Sequence, residues 1–154
     1  MSKWRVGIYL RLSSDDDDDK LESNSITNQR NLINYHLSDM KDVSVYKCYA
    51  DDGYTGTDFD RPAFQEMMDD IRNKKINCVT VKDLSRLGRN YINVGHFIDD
   101  TLPRYKIRFI AVNDNVDSYL RPESMNSLEV YFKNNRHSND TSKKLNIHRS
   151  TFFL

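Results

Sequence analysis

The chain has 154 residues, of which 30% are charged and 38% are hydrophobic, which is typical of one globular domain with a full core. Basic and acidic residues balance at 23 each, so the formal net charge is zero. A domain dedicated to nucleic-acid binding is usually clearly basic, so this balance argues against a DNA-binding surface over the whole molecule but allows a local arginine cluster for one phosphate.

The opening segment, MSKWRVGIYLRLSS, predicts a β-strand that runs into a polar loop. Apolar and β-branched residues fill WRVGIYLRL, and the segment lacks the apolar core and cleavage site of a signal peptide. The loop SSDDDDDKLESNS carries five consecutive aspartates at residues 15–19. We interpret this run as a solvated acidic loop in preference to a metal site, because adjacent aspartates repel each other and no separate group completes a coordination shell.

A first helix is predicted to begin after Ser25, which serves as its N-cap. Ile26, Ile33 and Leu37 then fall on one helical face, with Leu32 beside them. The segment VSVYKCY predicts a second strand, and ADDGYTGTDFD predicts a glycine-containing loop after it.

A second helix is predicted with Asp60 as its N-cap and Pro62 in its first turn. Four apolar residues of this helix recur at positions i, i+3, i+4 and i+7: Phe64, Met67, Met68 and Ile71. This spacing indicates a stripe that packs into the core and not a cofactor site.

The third and fourth strands are predicted in INCVTV and IRFIAVN, and residues 91–101 between them predict a helix that carries Ile92, Phe97 and Ile98. Strands that alternate with helices predict an α/β fold, with a mostly parallel central sheet and helices on both faces. From about residue 118 the pattern weakens, and a helix around residues 125–133 is the last predicted element.

The two cysteines, Cys48 and Cys78, lie in strand-like runs, which favours buried free thiols over a disulfide. No Cys/His cluster has zinc spacing, and we expect neither a metal nor a cofactor.

No run of about 18 apolar residues is present, so we expect no transmembrane helix and a cytoplasmic location.

Polar side chains gather where the predicted strands end. Ligands bind at the carboxyl ends of the strands in parallel sheets, so we expect the loops RLSS, DDGYTGTDFDR and KDLSRLGR to converge there. The side chains that they bring are two hydroxyls and four guanidiniums, from Ser13, Ser14, Arg11, Arg61, Arg86 and Arg89. Guanidiniums bind phosphate oxygens in bidentate fashion and stabilise a phosphoryl transition state without a metal.

Other hydrolytic sites fit less well. A Ser-His-Asp hydrolase needs an imidazole base, and these loops contain no histidine. The motifs G-x-S-x-G and G-x-x-x-x-G-K-[ST] are also absent. Each element of the pattern taken alone has a common structural explanation: RLSS as an ordinary strand end, Arg86 and Arg89 as surface residues near a helix start, Gln29 as part of a polar helix face. Their combination in this order favours a site.

Four stretches resemble, in order, the successive signatures of the serine recombinases of the resolvase/invertase class: YLRLS, SITNQRNLI, DDGYTGTDFDRPAF and VKDLSRLGRNYI. The second and third are most similar to the large, conjugative-transposon type. The resemblance covers residues 5–117 and implies the resolvase catalytic fold. It also implies site-specific DNA recombination, with integration and excision of transposons.

The resemblance implies that Ser13 is the nucleophile, which attacks a DNA phosphodiester, forms a 5′-phosphoserine link and releases a 3′-hydroxyl. Ser14 is the less favoured hydroxyl. The other implied active-site residues are Arg11, Gln29, Asp52, Arg61, Ser85, Arg86 and Arg89. The residues expected to contact DNA phosphate are Arg11, Arg61, Lys82, Arg86 and Arg89. The implied partners are DNA and, in the full-length protein, further copies in a dimer and a tetramer, with no membrane.

The chain departs from the family pattern at two places. Many relatives have an aspartate where Ser85 lies, and a serine can still accept a hydrogen bond. Relatives also continue into a long helix that dimerises and crosses DNA, and then into DNA-binding domains. We therefore expect a catalytic domain at residues 1–120, and at residues 121–154 a truncated or disturbed start of that helix with no DNA-binding domain.

Two alternatives remain. The chain could be an inactive truncated remnant that acts only as a self-association module. It could also be a metal-dependent, phosphatase-like α/β protein that uses the aspartate run, in which case its activity would require magnesium.

Overall fold

In the computed structural model, which describes residues 3–12, 25–53, 60–88 and 90–126, five strands form one sheet. They are β1 (Trp4–Leu12), β2 (Val43–Asp52), β3 (Cys78–Val81), β4 (Arg108–Ala111) and β5 (Val116–Asp117). The strand order is β2-β1-β3-β4-β5, in which the first four are parallel and β5 runs antiparallel to β4. The mostly parallel sheet is confirmed, and β5 adds a short strand that the sequence pattern did not predict.

The helices are α1 (Ile26–Ser38), α2 (Pro62–Arg72), α3 (Tyr91–His96) and α4 (Leu102–Arg104), and a π-helical turn at Phe97–Thr101 joins the last two. Short 3₁₀-helices lie at Leu84–Arg86 and Pro122–Asn126. Among the helices of the described residues, none is both long and apolar enough to cross a membrane. The helix predicted at residues 125–133 falls almost entirely outside the described residues.

Helix α1 begins as predicted. The hydroxyl of Ser25 accepts a hydrogen bond from the backbone N–H of Asn28 at 3.1 Å, which satisfies one of the free donors of the first turn. Ile33 and Leu37 are buried, whereas Ile26 and Leu32 are partly buried at the edge of the same cluster.

Helix α2 buries the predicted stripe, because Phe64, Met67, Met68 and Ile71 all lie in the core. The predicted cap was wrong: Arg61 occupies the N-cap position, and its side chain makes no capping bond. Asp51, at the end of β2, instead accepts from the backbone N–H groups of Ala63 at 2.9 Å and Phe64 at 3.0 Å. A strand that is adjacent only in space supplies this cap, so the local pattern around Asp60 could not reveal it.

The third predicted helix is longer than expected and irregular. The π-helical turn comes immediately before α4, in which Pro103 lacks the N–H that would continue a regular ladder. Phe97 and Ile98 are buried, but Ile92 is 65% exposed and does not belong to the core.

The sheet separates two apolar clusters. Val6, Ile8 and Leu10 of β1 pack with Ile33 and Leu37 of α1 on one face. On the other face, Tyr9 of β1 joins α2 and the helix that follows β3. Alternate residues of one strand therefore face opposite layers, as a strand with both faces covered requires.

Gly7 marks a close approach inside this second layer. A Cβ at Gly7 would lie 2.7 Å from Cδ1 of Ile76 and 2.9 Å from the ring of Tyr49, so a larger residue there would force these side chains to shift. Both cysteines are free, as predicted, and burial raises the pKa of Cys78 to about 12, which leaves its thiol protonated.

A buried ion pair lies at the amino-terminal ends of the strands. Arg108 of β4 and Asp117 of β5 meet at 2.7 Å, and the guanidinium lies 5.1 Å from the ring centroids of both Trp4 and Tyr119. Burial by itself would raise the pKa of Asp117, but the hydrogen bond from Arg108 and those from the backbone hold it below its usual value. These contacts anchor the edge of the sheet opposite the polar loops.

Candidate active site

The carboxyl ends of β1, β2 and β3 bring together most of the predicted site residues. Arg11 and Leu12 at the end of β1 pair with Asp51 and Asp52 at the end of β2. The segment with Lys82, Ser85 and Arg86 follows β3 directly. Ser13, Ser14 and Arg89 lie outside the described residues, as does the acidic run at residues 15–19.

Arg11 is fully buried and its guanidinium holds the segment after β3. Its Nε donates to the carbonyl oxygen of Arg86 at 3.1 Å, and its Nη2 donates to that of Ser85 at 2.7 Å. A forked pair of bonds from one rigid group fixes the two carbonyls relative to β1. Arg11 thereby ties the end of β1 to the 3₁₀-helix Leu84–Arg86.

Arg86 in turn binds the backbone of Arg11, and only 3% of the Arg86 surface is exposed. Its Nη1 donates to the carbonyl oxygen of Arg11 at 2.9 Å. Its Nη2 and Nε donate to the hydroxyl oxygen of Ser85 at 3.0 and 3.3 Å. The two arginines therefore hold each other through backbone carbonyls, which brings two positive charges close together at the point where the chain continues to Ser13.

Gln29 of α1 is buried and binds the backbone of Arg11 from the other side. The N–H of Arg11 donates to its Oε1 at 3.4 Å, and its Nε2 donates to the carbonyl oxygen of Arg11 at 3.0 Å. One amide side chain that satisfies both backbone groups of a residue fixes that residue in place. Gln29, predicted as a site residue, thus fixes the backbone near the end of β1.

Arg61 arrives from the start of α2 and is also buried. Its Nη2 donates to the carbonyl oxygen of Leu87, and its guanidinium lies 5.6 Å from the ring centroid of Tyr9 and 5.3 Å from that of Phe64. Such distances allow a cation–π attraction. Arg11 and Arg61 together bind three consecutive carbonyls, at residues 85–87, which brings the three described arginines together.

Asp51 is the carboxylate buried inside this cluster, and the role of its neighbour Asp52 stays a prediction. Asp52 is exposed, whereas Asp51 is buried and accepts a hydrogen bond from the hydroxyl of Tyr9 at 2.8 Å. Burial raises the pKa of Tyr9, so the phenol stays protonated and donates. The alternation of the strand was the available signal, because Asp51 shares a face with the buried Tyr49 two residues earlier.

Two acids hold the start of the segment after β3, and neither was among the predicted site residues. Asp114 Oδ2 accepts from the backbone N–H of Leu84 at 2.8 Å, and burial raises the pKa of Asp114. Asp83 Oδ1 accepts from the hydroxyl of Ser85. Lys82, predicted to contact phosphate, is buried, and its backbone carbonyl accepts from Asn113 at 2.8 Å.

The arrangement is suited to an anion. Guanidiniums stay protonated at any physiological pH, and three of them lie where the end of β1 meets the turn after β3. Within the described part of the chain, no group of three or more histidine, cysteine, aspartate or glutamate side chains is placed to hold a metal ion.

Comparisons with known proteins agree with this geometry. The sequence profile of the family "Resolvase, N terminal domain" matches residues 6–132. The protein named "Putative DNA recombinase" from Bacillus subtilis (strain 168) is 32% identical over 108 residues, which are 70% of this chain and 20% of that protein. The chain therefore spans about a fifth of the length of that relative.

Solved structures share the fold. The N-terminal catalytic domain of TP901-1 integrase superposes with a TM-score of 0.68 at 28% identity, over 92% of this chain and 98% of that one. A resolvase family site-specific recombinase from Streptococcus pneumoniae gives a TM-score of 0.66 at 23% identity, over 97% and 99% of the two chains. Since the family profile covers most of the sequence, the chain belongs to the resolvase family of serine recombinases and corresponds to their N-terminal catalytic domain.

Proposed function

We propose that this chain is the catalytic domain of a site-specific DNA recombinase, in which Ser13 is the nucleophile. One observation carries the proposal: Arg11 and Arg61 bind backbone carbonyls of residues 85–87, directly after β3, and Arg86 from that segment binds the carbonyl of Arg11 at the carboxyl end of β1. Ser13 follows Arg11 by two residues in the sequence. A hydroxyl next to a cluster of buried guanidiniums fits an attack on phosphorus.

The proposed reaction is a transesterification. The Oγ of Ser13 forms a bond to the phosphorus of a DNA phosphodiester, and the bond from phosphorus to the 3′-oxygen breaks. The serine loses one proton and the leaving 3′-oxygen gains one, so the products are a 5′-phosphoserine and a 3′-hydroxyl. Attack by the 3′-hydroxyl of another strand reverses the step. Because each step exchanges one phosphoester bond for another, rejoining needs no ATP.

Each described residue has a proposed part in this step. Arg11 and Gln29 fix the end of β1 before Ser13, and Arg61 holds the segment after β3 through Leu87. Arg86, with Arg89 and Lys82, supplies positive charge for the phosphate oxygens. Asp51 takes the supporting place expected for Asp52, because it fixes the start of α2 beside Arg61.

The proposed partner is DNA, and in a full-length protein further copies of the chain would bring two DNA sites together in a tetramer. The names of the B. subtilis and S. pneumoniae relatives, a DNA recombinase and a site-specific recombinase, support this proposal. The cytoplasmic location and the division at residue 120 stay predictions.

The test is to trap the covalent intermediate. The chain is incubated with a library of DNA duplexes in the presence of EDTA, and adducts that resist SDS are recovered, sequenced and mapped by mass spectrometry. We expect the adduct on Ser13, its loss in Ser13→Ala and its retention in Ser14→Ala. Loss in Ser14→Ala but not in Ser13→Ala would overturn the assignment, and cleavage only with magnesium would favour the phosphatase-like alternative.

A further inference from the structure

The guanidinium of Arg86 is oriented by a short relay that begins at Asp83. The hydroxyl of Ser85 donates to Asp83 Oδ1 and accepts from Arg86 Nη2 at 3.0 Å and Nε at 3.3 Å. Asp83 Oδ1 also lies 3.5 Å from Arg86 Nε, within ion-pair distance. Ser85 therefore lies between a carboxylate and the arginine that the carboxylate faces.

We propose that Asp83 is a positioning residue for Arg86 and acts through the hydroxyl of Ser85. The inference rests on the proposed function, because it concerns the arginine that would contact the scissile phosphate.

The direction of the Ser85 hydroxyl is what Asp83 controls. A hydroxyl has one hydrogen and two lone pairs and rotates freely, so a fixed acceptor for the hydrogen also fixes the direction in which the lone pairs point. The carboxylate of Asp83 takes that hydrogen and leaves the lone pairs to Arg86. The carbonyl of Arg11 holds Nη1 of the same guanidinium at 2.9 Å, so the group is fixed along two of its edges.

Exposure is consistent with a positioning role. Arg86 is buried, whereas the side chain of Asp83 is 23% exposed. We therefore expect removal of Asp83 to leave the apolar core intact and to act on its polar neighbours, which are Ser85, Arg86 and the nearby carboxylate of Asp114. A matched control exists on α2, where Asp69 and Arg72 form an ion pair of the same i, i+3 spacing at 2.8 Å on an exposed surface.

The experiment compares Asp83→Ala with Asp69→Ala in the whole chain and uses two readouts. The first is hydrogen exchange of the Arg86 Nε–H, measured by NMR in ¹⁵N-labelled protein without DNA. The second is the rate of adduct formation on duplex DNA under single-turnover conditions. We expect Asp83→Ala to speed the exchange by about tenfold or more and to slow adduct formation at saturating DNA by about 10- to 100-fold, since small misplacements of a reacting group cost this much.

A rescue separates positioning from a general loss of structure. In the double variant Asp83→Ala with Ser85→Asp, the new carboxylate can accept directly from Arg86, so we expect slow exchange and most of the adduct rate to return. Asp69→Ala should leave both readouts unchanged, and the concentration of DNA at half-saturation should stay the same in all variants. Slow Arg86 exchange in Asp83→Ala, or a double variant as defective as the single one, would overturn the inference.

The two readouts keep this inference apart from the proposed function. If the wild-type chain forms no covalent adduct under any condition, the proposed function fails, and the exchange measurement still decides whether Asp83 orients Arg86. If the wild-type chain forms the adduct and Asp83→Ala forms it equally fast, only the positioning role fails.

Discussion

Two arginines of β1 make the same forked contact in different surroundings. Arg5 donates through Nε and Nη2 to the carbonyls of Lys75 and Lys74, at 3.2 and 3.1 Å, in an exposed region. Arg11 donates through the same two nitrogens to two consecutive carbonyls, but inside the protein. Comparing substitutions of Arg5 and Arg11 therefore shows how burial changes the contribution of this forked contact to stability.

We predict that Arg11→Lys lowers the free energy of unfolding by about 2–3 kcal/mol, because an ammonium lacks the fork and leaves at least one buried carbonyl without its donor. Arg5→Lys should cost about 0.5 kcal/mol or less, since water satisfies the exposed carbonyls. Urea unfolding followed by circular dichroism measures both. Equal losses in the two variants would contradict the structural role assigned to Arg11.

At the scale of elements, the start of α2 depends on the end of β2. Asp51 caps two backbone N–H groups of the helix and accepts from the hydroxyl of Tyr9 in β1. One carboxylate thus joins two strands and a helix beside Arg61, where the site is formed. The neighbouring Asp52 is exposed on the other face of the strand.

We predict that Asp51→Ala destabilises the protein by about 2–4 kcal/mol, from the lost helix cap and from the buried hydroxyl of Tyr9 that loses its acceptor. Asp52→Ala is the matched control and should change stability by about 0.5 kcal/mol or less, as exposed substitutions usually do. Denaturant titration of both variants tests this. A larger loss in Asp52→Ala would show that the register of β2 differs from the one described.

At the scale of the whole molecule, net charge bears on the proposed binding of DNA. The formal net charge is zero, and five aspartates at residues 15–19 follow closely after Arg11 in the sequence. Phosphate contacts supply most non-specific affinity for DNA, and a cluster of arginines around one phosphate makes few contacts along a duplex. The proposed site would therefore contact one phosphate and not a long stretch of DNA backbone.

We predict that the 154-residue chain binds duplex DNA with a Kd of about 10⁻⁶ M or weaker and without sequence preference, in the range of non-specific binding. Fluorescence anisotropy at two salt concentrations, with a candidate crossover site and a scrambled duplex, measures this. Nanomolar binding that distinguishes the two duplexes would show that base-reading elements lie within this chain.

Much of the architecture followed from local patterns. Alternating strands and helices predicted the parallel sheet, Ser25 predicted the start of α1, and the apolar spacing of α2 predicted which of its residues are buried. The arginines at the strand ends could also be placed, because parallel strands bring their carboxyl ends to the same edge of a sheet. These features depend on periodicity and chain direction, which a sequence contains directly.

The partners within the site were decided by the tertiary structure. Arg11 and Arg86 are 75 residues apart in sequence and hold each other through backbone carbonyls, which carry no side-chain signature. The choice of Asp51 over Asp52 depends on the register between β1 and β2, because a shift of one residue exchanges the faces of a strand. The sequence by itself determined which charged groups reach this edge of the sheet, and only the packing of the strands and helices decided which groups they bind.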